Sequence, residues 1–302
     1  MINSQLIAHS RDAVTGKEIY TFELEYPRFI HAELLTHRLF SRNAASSRAI
    51  PIKKQLKLIE DHPAMPEVWG LDQAGMQAKK SLEKKYEIAT AKFLWGCAKT
   101  AAVNAARALA KYNLHKQIVN RVVEPFAHIK VVMTTTEIEN FLWLRDHPDA
   151  QPEIRILAGL MKENIDQSIP KQLLPGQWHV PYYYDGIWVE EIDGVDSHGN
   201  TLDEALAISS SCCAQVSYRV LDTSIEKAMS IFSKLVKSKP VHASPFEHQA
   251  TPISNVVGKN YLPAPSTWED GITHFHKKMG FGSGNFYGWI QHRQLIKEHC
   301  KW

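Results

Sequence analysis

The stretch Thr36–Pro51, THRLFSRNAASSRAIP, holds His37, Arg38, Ser41, Asn43, Ser46, Ser47 and Arg48, with no acidic residue among them. A surface segment normally mixes both charge signs. One that offers guanidinium forks, hydroxyls and an imidazole is equipped to hold an anion, and loop backbone amides can add donors. On composition alone, an ordinary polar loop remains the alternative. Other constellations are weaker. His274 and His276 stand two apart, which places both on one side of a strand, but no third residue completes a metal site. The chain has no G-x-x-x-x-G-K and no G-x-G-x-x-G phosphate cradle, and GFGSGNF reads as a flexible loop. Cys97, Cys212, Cys213 and Cys300 lack both metal-ligand spacing and an evident base partner, so neither a metal nor thiol catalysis is expected.

These residues need a scaffold, and the pattern predicts one. In EIYTFELEYP, Tyr20, Phe22, Leu24 and Tyr26 alternate with polar residues, which is strand spacing, and Pro27 stops the ladder. RFIHAELLTHRLF carries helical spacing, which places His37 and Arg38 near a helix end, with SRNAASSRAIP as the exit loop. Residues 51–70 are punctuated by proline and read as irregular, whereas Met76–Lys111 reads as one alanine-rich helix. LHKQIVNRVVEPF reads as a helix closed before Pro125, and HIKVVMTTTEI, rich in β-branched residues, as a strand. EIENFLWLRDH, AQPEIRILAGLMKENIDQSI, LDEALAISSSCCAQVSY and SIEKAMSIFSKLVKS read as helices. The segment 174–201 reads as a long connection, and the tail as loop before a last short helix. Without repeats or low-complexity linkers, the 302 residues read as one α+β domain.

Composition narrows the partners. A net charge of +3 with dispersed lysines argues against a nucleic-acid coat but leaves room for a small phosphorylated ligand. MINSQLIAHSRDAV lacks a secretory pattern, no apolar run approaches membrane-spanning length, and adjacent Cys212 and Cys213 suit a reducing compartment. A cytoplasmic protein with no membrane or nucleic-acid partner is the expectation.

HRLFSRNAASSR is similar to the signature of the flavin-dependent thymidylate synthases, H-R-x-x-S-x-N-x-x-S-x-R, and His37, Arg38, Ser41, Asn43, Ser46 and Arg48 all fit. NFLWLRDHPDAQPEIR (Asn140–Arg155) resembles that family's N-F-L-x-L-R segment followed by A-Q-x-E-I, and NRVVEPF resembles A-R-x-x-L-P-x. CAQVSYR (Cys213–Arg219) and VHASPFEH (Val241–His248) resemble two further elements, which in the family precede the His-Arg signature. Here they follow it. The resemblance therefore implies a circular permutation within a single domain 1–302, the family's N-terminal elements being displaced to about 201–250. The tail triplet Gln291-His292-Arg293 echoes a His-Arg helix end, with nothing nearby to complete it.

The resemblance implies a curved, mainly antiparallel sheet with long helices, and reductive methylation of dUMP to dTMP. FAD is the implied cofactor, with NADPH and methylenetetrahydrofolate as co-substrates, in a homotetramer with shared active sites. It implies flavin contacts from His37, Arg38, Ser41, Asn43, Asn140, Ser217 and Ser244. Nucleotide contacts are implied for Glu33, Ser46, Ser47, Arg48, Arg121 and Arg145, with Arg145 stabilising charge on the pyrimidine. The chain departs from the family pattern at Thr36 (family Arg), Ala44 (Glu), Ala49 (Tyr), Asp149 (often His) and Glu33 (Gln). A carboxylate at position 33 could accept from an exocyclic amine, so a relative methylating or hydroxymethylating another deoxynucleotide such as dCMP is the nearest alternative. A non-catalytic nucleotide- or flavin-binding relative is the alternative from another class.

Overall fold

Two ten-residue strands set the frame: β1 (Asn3–Asp12) and β2 (Glu18–Pro27) pair antiparallel. The computed structural model describes residues 1–75, 77–216, 222–254 and 264–301. After β2 come a 3-10 turn (Arg28–Ile30), α1 (His31–Leu35), β3 (Ser41–Ala44), α2 (Ile52–Asp61), α3 (Lys85–Lys111) and α4 (Lys116–Val119). A 3-10 segment (Asn120–Phe126) leads to β4 (His128–Thr135), α5 (Glu139–Arg145), α6 (Pro152–Asp166), β5 (Lys171–Leu173), β6 (Trp178–His179) and β7 (Ile187–Trp188). The rest comprises α7 (Leu202–Gln215), α8 (Ile225–Lys237), a 3-10 turn (Ser244–Glu247), β8 (Ala250–Pro252) and the tail strands. Those are β9 (His274–His276), β10 (Gly280–Ser283), β11 (Phe286–Tyr287) and β12 (Trp289–Gln291), before a last 3-10 turn (His292–Leu295).

The main sheet runs β3-β4-β2-β1-β5, antiparallel except for the β1–β5 edge. Side-chain alternation sorts its two faces. Tyr20, Phe22, Leu24 and Tyr26 of β2, with Ile129, Val131 and Met133 of β4, pack into one core with Phe141 of α5 and Ile154, Leu157, Ala158 and Met161 of α6. The residues between them, Ile19 and Thr21 of β2 and Val132 and Thr134 of β4, face a second layer. That layer is built from a four-stranded sheet, β12-β8-β6-β7, together with α7. Ile19 meets Leu173, Ala250, Phe286 and Trp289, while Val132 meets Cys213 and Val216. Gly186, at φ +83°, brings the β6–β7 turn against β1, where a Cβ would lie 2.9 Å from Ala8 Cβ. α7 begins at a capping box between Thr201 and Glu204 and is buried over most of its length.

Several expectations change. Ser41–Ala44 is a strand hydrogen-bonded to β4 and not an exit loop. Ile52–Asp61 is a helix, because Pro51, Pro63 and Pro66 flank it without interrupting it, and Leu56 and Ile59 bury against Val119 and Val123. α3 starts at Lys85, since Leu71 N→Lys80 O and Leu82 N→Trp69 O bonds fold the preceding run back on itself. The predicted helix before Pro125 is one α-helical turn followed by a 3-10 segment that includes Pro125. The 174–201 connection holds β6 and β7, and the tail forms strands where loop was expected.

Candidate functional site

α1 stops just before the His-Arg pair, and its C-terminal carbonyls are taken up by Arg42. The Arg42 guanidinium donates to Leu34 O at 3.1 Å and His37 O at 3.2 Å, doing for the helix end what a basic C-cap does. Arg42 sits on β3, so its alternate neighbours Ser41 and Asn43 point to the other face. One strand therefore divides the signature into two environments.

On the helical side, His37 packs against Phe40 and edge-on against Phe141. Arg145, from the last turn of α5, donates Nε–H to His37 Nε2 at 3.0 Å and Nη2–H to Thr36 Oγ1 at 3.1 Å, and its Nη1 lies 3.1 Å from Glu33 Oε2. A guanidinium only donates, so His37 Nε2 must be an acceptor and the ring proton must sit on Nδ1. Burial first, then the positive charges of Arg145 and Arg42, push the His37 pKa down to about 4. Near neutral pH His37 is an uncharged acceptor that orients Arg145. Glu33, Thr36, His37 and Arg145 thus converge.

On the opposite side, Ser41 is buried. Its Oγ donates to Asn285 Oδ1 at 3.0 Å and accepts from Gln291 Nε2 at 3.1 Å. Gln291 also donates to Asn285 Oδ1 at 2.8 Å and approaches Glu247 O at 3.4 Å, while Asn285 Nδ2 donates to Leu39 O at 3.2 Å. Asn43 Nδ2 donates to Cys213 O, at the end of α7, at 3.3 Å. The late blocks CAQVSYR and VHASPFEH therefore meet the early signature in space, at Cys213 and Glu247 respectively. Glu247 is paired with Arg293, and burial nevertheless pushes its carboxyl pKa up.

The remaining signature residues lie on the exit loop. Asn120 donates to Ser47 O at 2.7 Å and Ile50 O at 2.9 Å, and Lys116 donates to Ala49 O at 2.9 Å, which fixes the loop backbone from below. Ser46 Oγ accepts from Arg48 N at 3.3 Å, and Ser47 is buried. Arg38 and Arg48 are exposed and have no protein partner among the described residues, so both guanidinium groups are open to an anion. Arg121 is committed to Glu124, which also pairs with Arg28, and the structure does not bring it to Arg145. Asn140 on α5 and Ser244 at the start of its 3-10 turn are exposed. Ser217 lies outside the described residues.

Asn285, Asn120, Arg42 and Thr134 escaped the sequence reading, and Gln291 appeared in it only as part of a faint echo. Strand alternation within SRNA and VVMTTT was the signal that could have placed Arg42 and Thr134. Among the described residues, several buried polar atoms of the second layer have no partner, and His248 Nε2, Gln249 Oε1 and Arg293 Nε of these flank β8 and β12. Leaving such an atom unpaired costs about 1–3 kcal/mol, so a polar ligand with both donors and acceptors fits here, as the edge of a flavin ring would. Among the described residues no cluster of three His, Cys, Asp or Glu side chains could hold a metal ion, and no helix is long and apolar enough to cross a membrane.

Among solved structures, the chain is similar to the UMP/dUMP methylase PolB from Streptomyces cacaoi bound with 5-Br dUMP. The identity is 16% and the TM-score 0.47, over 55% of this chain and 90% of that one. It is also similar to the flavin-dependent thymidylate synthase ThyX from Helicobacter pylori complexed with FAD and dUMP, at 16% identity and a TM-score of 0.35, over 49% of this chain and 67% of that one. No curated protein matches significantly. The family model described as thymidylate synthase complementing protein matches residues 2–171, more than half of the chain, a span that contains the signature, the β2–β4 frame and Arg145. The chain belongs to the thymidylate synthase complementing protein family.

Proposed function

We propose that this protein methylates C5 of a pyrimidine deoxynucleotide monophosphate, with dUMP as substrate, dTMP as product, methylenetetrahydrofolate as one-carbon donor and NADPH as reductant. FAD, when bound, supplies the reducing equivalents that complete the methyl group. The observation that carries this reading is the convergence of Glu33, Thr36 and His37 on the guanidinium of Arg145 inside the family-matched span. Carbon–carbon bond formation at C5 places negative charge on the pyrimidine oxygens, and a pre-oriented guanidinium stabilises that charge without reorganising in the transition state. Neutral His37 holds the fork through the Arg145 Nε–H and adds no positive charge that would compete with it.

The other residues bind and position. Arg48, Ser46, Ser47 and Arg121 hold the nucleotide, with phosphate as the target of the open Arg48 fork; Arg121 would exchange its Glu124 contact for it. His37, Arg38, Asn43, Asn140, Ser217 and Ser244 contact the flavin, His37 from the helical side of β3 and Asn43 from the opposite one, and Ser41 acts there through the strand it anchors. The late blocks stand in for the family's first elements, so the proposed architecture is a permuted single domain. A homotetramer with shared sites in the cytoplasm would let Arg121, which within one chain is paired with Glu124, serve a neighbouring subunit.

A second reading is favoured by Glu33, whose carboxylate lies on Arg145. Side by side they offer an acceptor and a donor, the complement of cytosine's amine and ring nitrogen, which would make dCMP the substrate. A flavin absorption spectrum of the purified protein, titrated with dUMP and then dCMP, separates the two. Bands perturbed by dUMP support thymidylate synthesis; a response confined to dCMP, and lost in Glu33→Gln, supports the cytosine reading. A protein that takes up no added FAD refutes both.

A further inference from the structure

A buried line of hydrogen bonds crosses the main sheet toward the displaced block. Ser10 Oγ lies 2.9 Å from His179 Nδ1, and His179 Nε2 lies 2.8 Å from Thr21 Oγ1. Thr21 Oγ1 is 2.8 Å from Thr134 Oγ1, which is 2.8 Å from His248 Nδ1. All five side chains are buried, and the last atom of the line, His248 Nε2, has no partner among the described residues. Thr134 pairs in register with Ser41, so this open end lies beside the signature strand.

The line has a direction. A neutral imidazole carries one N–H and one acceptor nitrogen, and a hydroxyl donates once. Burial keeps both histidines neutral. Among the described residues the Ser10 hydroxyl has no acceptor other than His179 Nδ1, so donation there is what satisfies its proton. The His179 proton then sits on Nε2 and is donated to Thr21. Thr21 donates to Thr134, and Thr134 donates to His248 Nδ1. This leaves the His248 proton on Nε2. The reverse direction strands two groups, the Ser10 O–H and the His248 Nε2 lone pair, whereas the forward direction strands only the Nε2–H.

We infer that His179 is a positioning residue: through Thr21 and Thr134 it fixes His248 as the Nε2–H tautomer, which presents one hydrogen-bond donor to an acceptor atom, a carbonyl oxygen or ring nitrogen, of the heterocycle held against β3. The identity of that heterocycle as a flavin rests on the proposed function; the tautomer does not. His179 lies beyond the span the family model matches, so this device belongs to the second layer of this chain.

The test reads the tautomer directly. Long-range 1H–15N spectra of the full chain labelled with 15N-histidine, near neutral pH, report both ring nitrogens of His248, assigned by their loss in His248→Gln. The expected parent pattern is an unprotonated Nδ1 and a protonated Nε2. Thr21→Val is isosteric and leaves the Thr134–His248 contact in place but cuts it off from His179, so the proton should redistribute toward Nδ1. Thr21→Ser keeps the hydroxyl and should restore the parent pattern, which a packing role for the threonine methyl would not do. Ser10→Ala, at the far end, removes the anchoring proton and serves if Thr21→Val does not fold. A parent proton on Nδ1, or an unchanged tautomer in either cutting variant, overturns the inference. FAD titration of the same proteins is the second readout. Affinity should fall about tenfold in Thr21→Val, the worth of one hydrogen bond to a buried donor, and stay within about twofold in Thr21→Ser. If the tautomer responds as expected but the parent binds no FAD, the functional reading fails and the relay stands.

Discussion

Lowering the pH from 7 to 5 should remove a third or more of the stability of the folded chain, through histidines. His179, His248 and His292 are buried, and burial pushes their pKa values down to about 3, 3 and 4. Unfolded, each titrates near its ordinary value of about 6.5. Because the folded values are depressed, the unfolded chain binds protons that the folded chain refuses. The contribution of each group is complete above about pH 6.5 and falls with pH until its folded pKa is reached. At pH 5 each group costs about 2 kcal/mol, against about 0.2 kcal/mol at pH 7. Together they remove roughly 5–6 kcal/mol, against about 5–15 kcal/mol for a whole domain. Half-buried His31 and His37, both pushed down to about 4, act in the same direction. Glu137 and Glu247, whose pKa values burial raises, oppose the trend at the acidic end.

Urea unfolding at fixed protein concentration, repeated between pH 5 and 7, measures this. With an unchanged m value, the slope near pH 5.5 should be at least 3–4 kcal/mol per pH unit, roughly three protons. His248→Gln should reduce it by about one proton. A slope of one proton or less in the parent would refute the reasoning, because it would mean that the buried imidazoles accept protons in place.

Gln291→Ala should cost about 2 kcal/mol, from two good hydrogen bonds at about 1 kcal/mol each, and no more than about 3, because Ser41 and Asn285 stay bonded to each other; a urea midpoint shift worth less than about 0.5 kcal/mol would remove the tail from the account of the signature. Asn120→Ala strips the buried support from Ser47 O and Ile50 O and should cost about 2 kcal/mol, with limited proteolysis newly cutting the 46–50 loop. Arg145→Lys replaces a fork serving three acceptors with a point charge, so any nucleotide-induced change in bound-flavin absorption should vanish, while His37, still buried and still facing cations, should keep a pKa below its ordinary value as read by NMR titration.

The early half of the chain was legible because its chemistry is local. Alternation in EIYTFELEYP places Tyr20 and Phe22 in the core and Thr21 opposite, and six polar residues at fixed spacing mark the signature without any fold. What the sequence concealed are relations between distant segments. Ser41–Ala44 is a strand only because β4 supplies a partner 90 residues away, at Thr134 and Val131, and four residues have too little periodicity of their own to announce it. Gln291 becomes informative only when β12 carries it beneath Ser41. Likewise, nothing in the 51–70 composition reveals that Leu56 and Ile59 have a waiting surface in Val119 and Val123.

The same distinction bears on the proposed permutation. In the unpermuted order that the resemblance implies, a SPFEH element precedes the strand leading to the signature and is tethered to it; here Ser244–Glu247 and β2 are joined only through space. The contacts across that gap are polar and specific: Gln291 to Glu247 O and Ser41, Asn43 to Cys213 O, and Thr134 to His248. Apolar contact would hold the layers together but would tolerate sliding, and a one-residue slip along β3 would exchange Ser41 and Asn43 for Arg42 and Ala44 on the side facing the tail and α7. Hydrogen bonds to buried partners penalise that slip at each position, since every displaced donor is left unpaired. Register, which the tether would otherwise impose, is thereby carried by the side chains of the tail and of the displaced block.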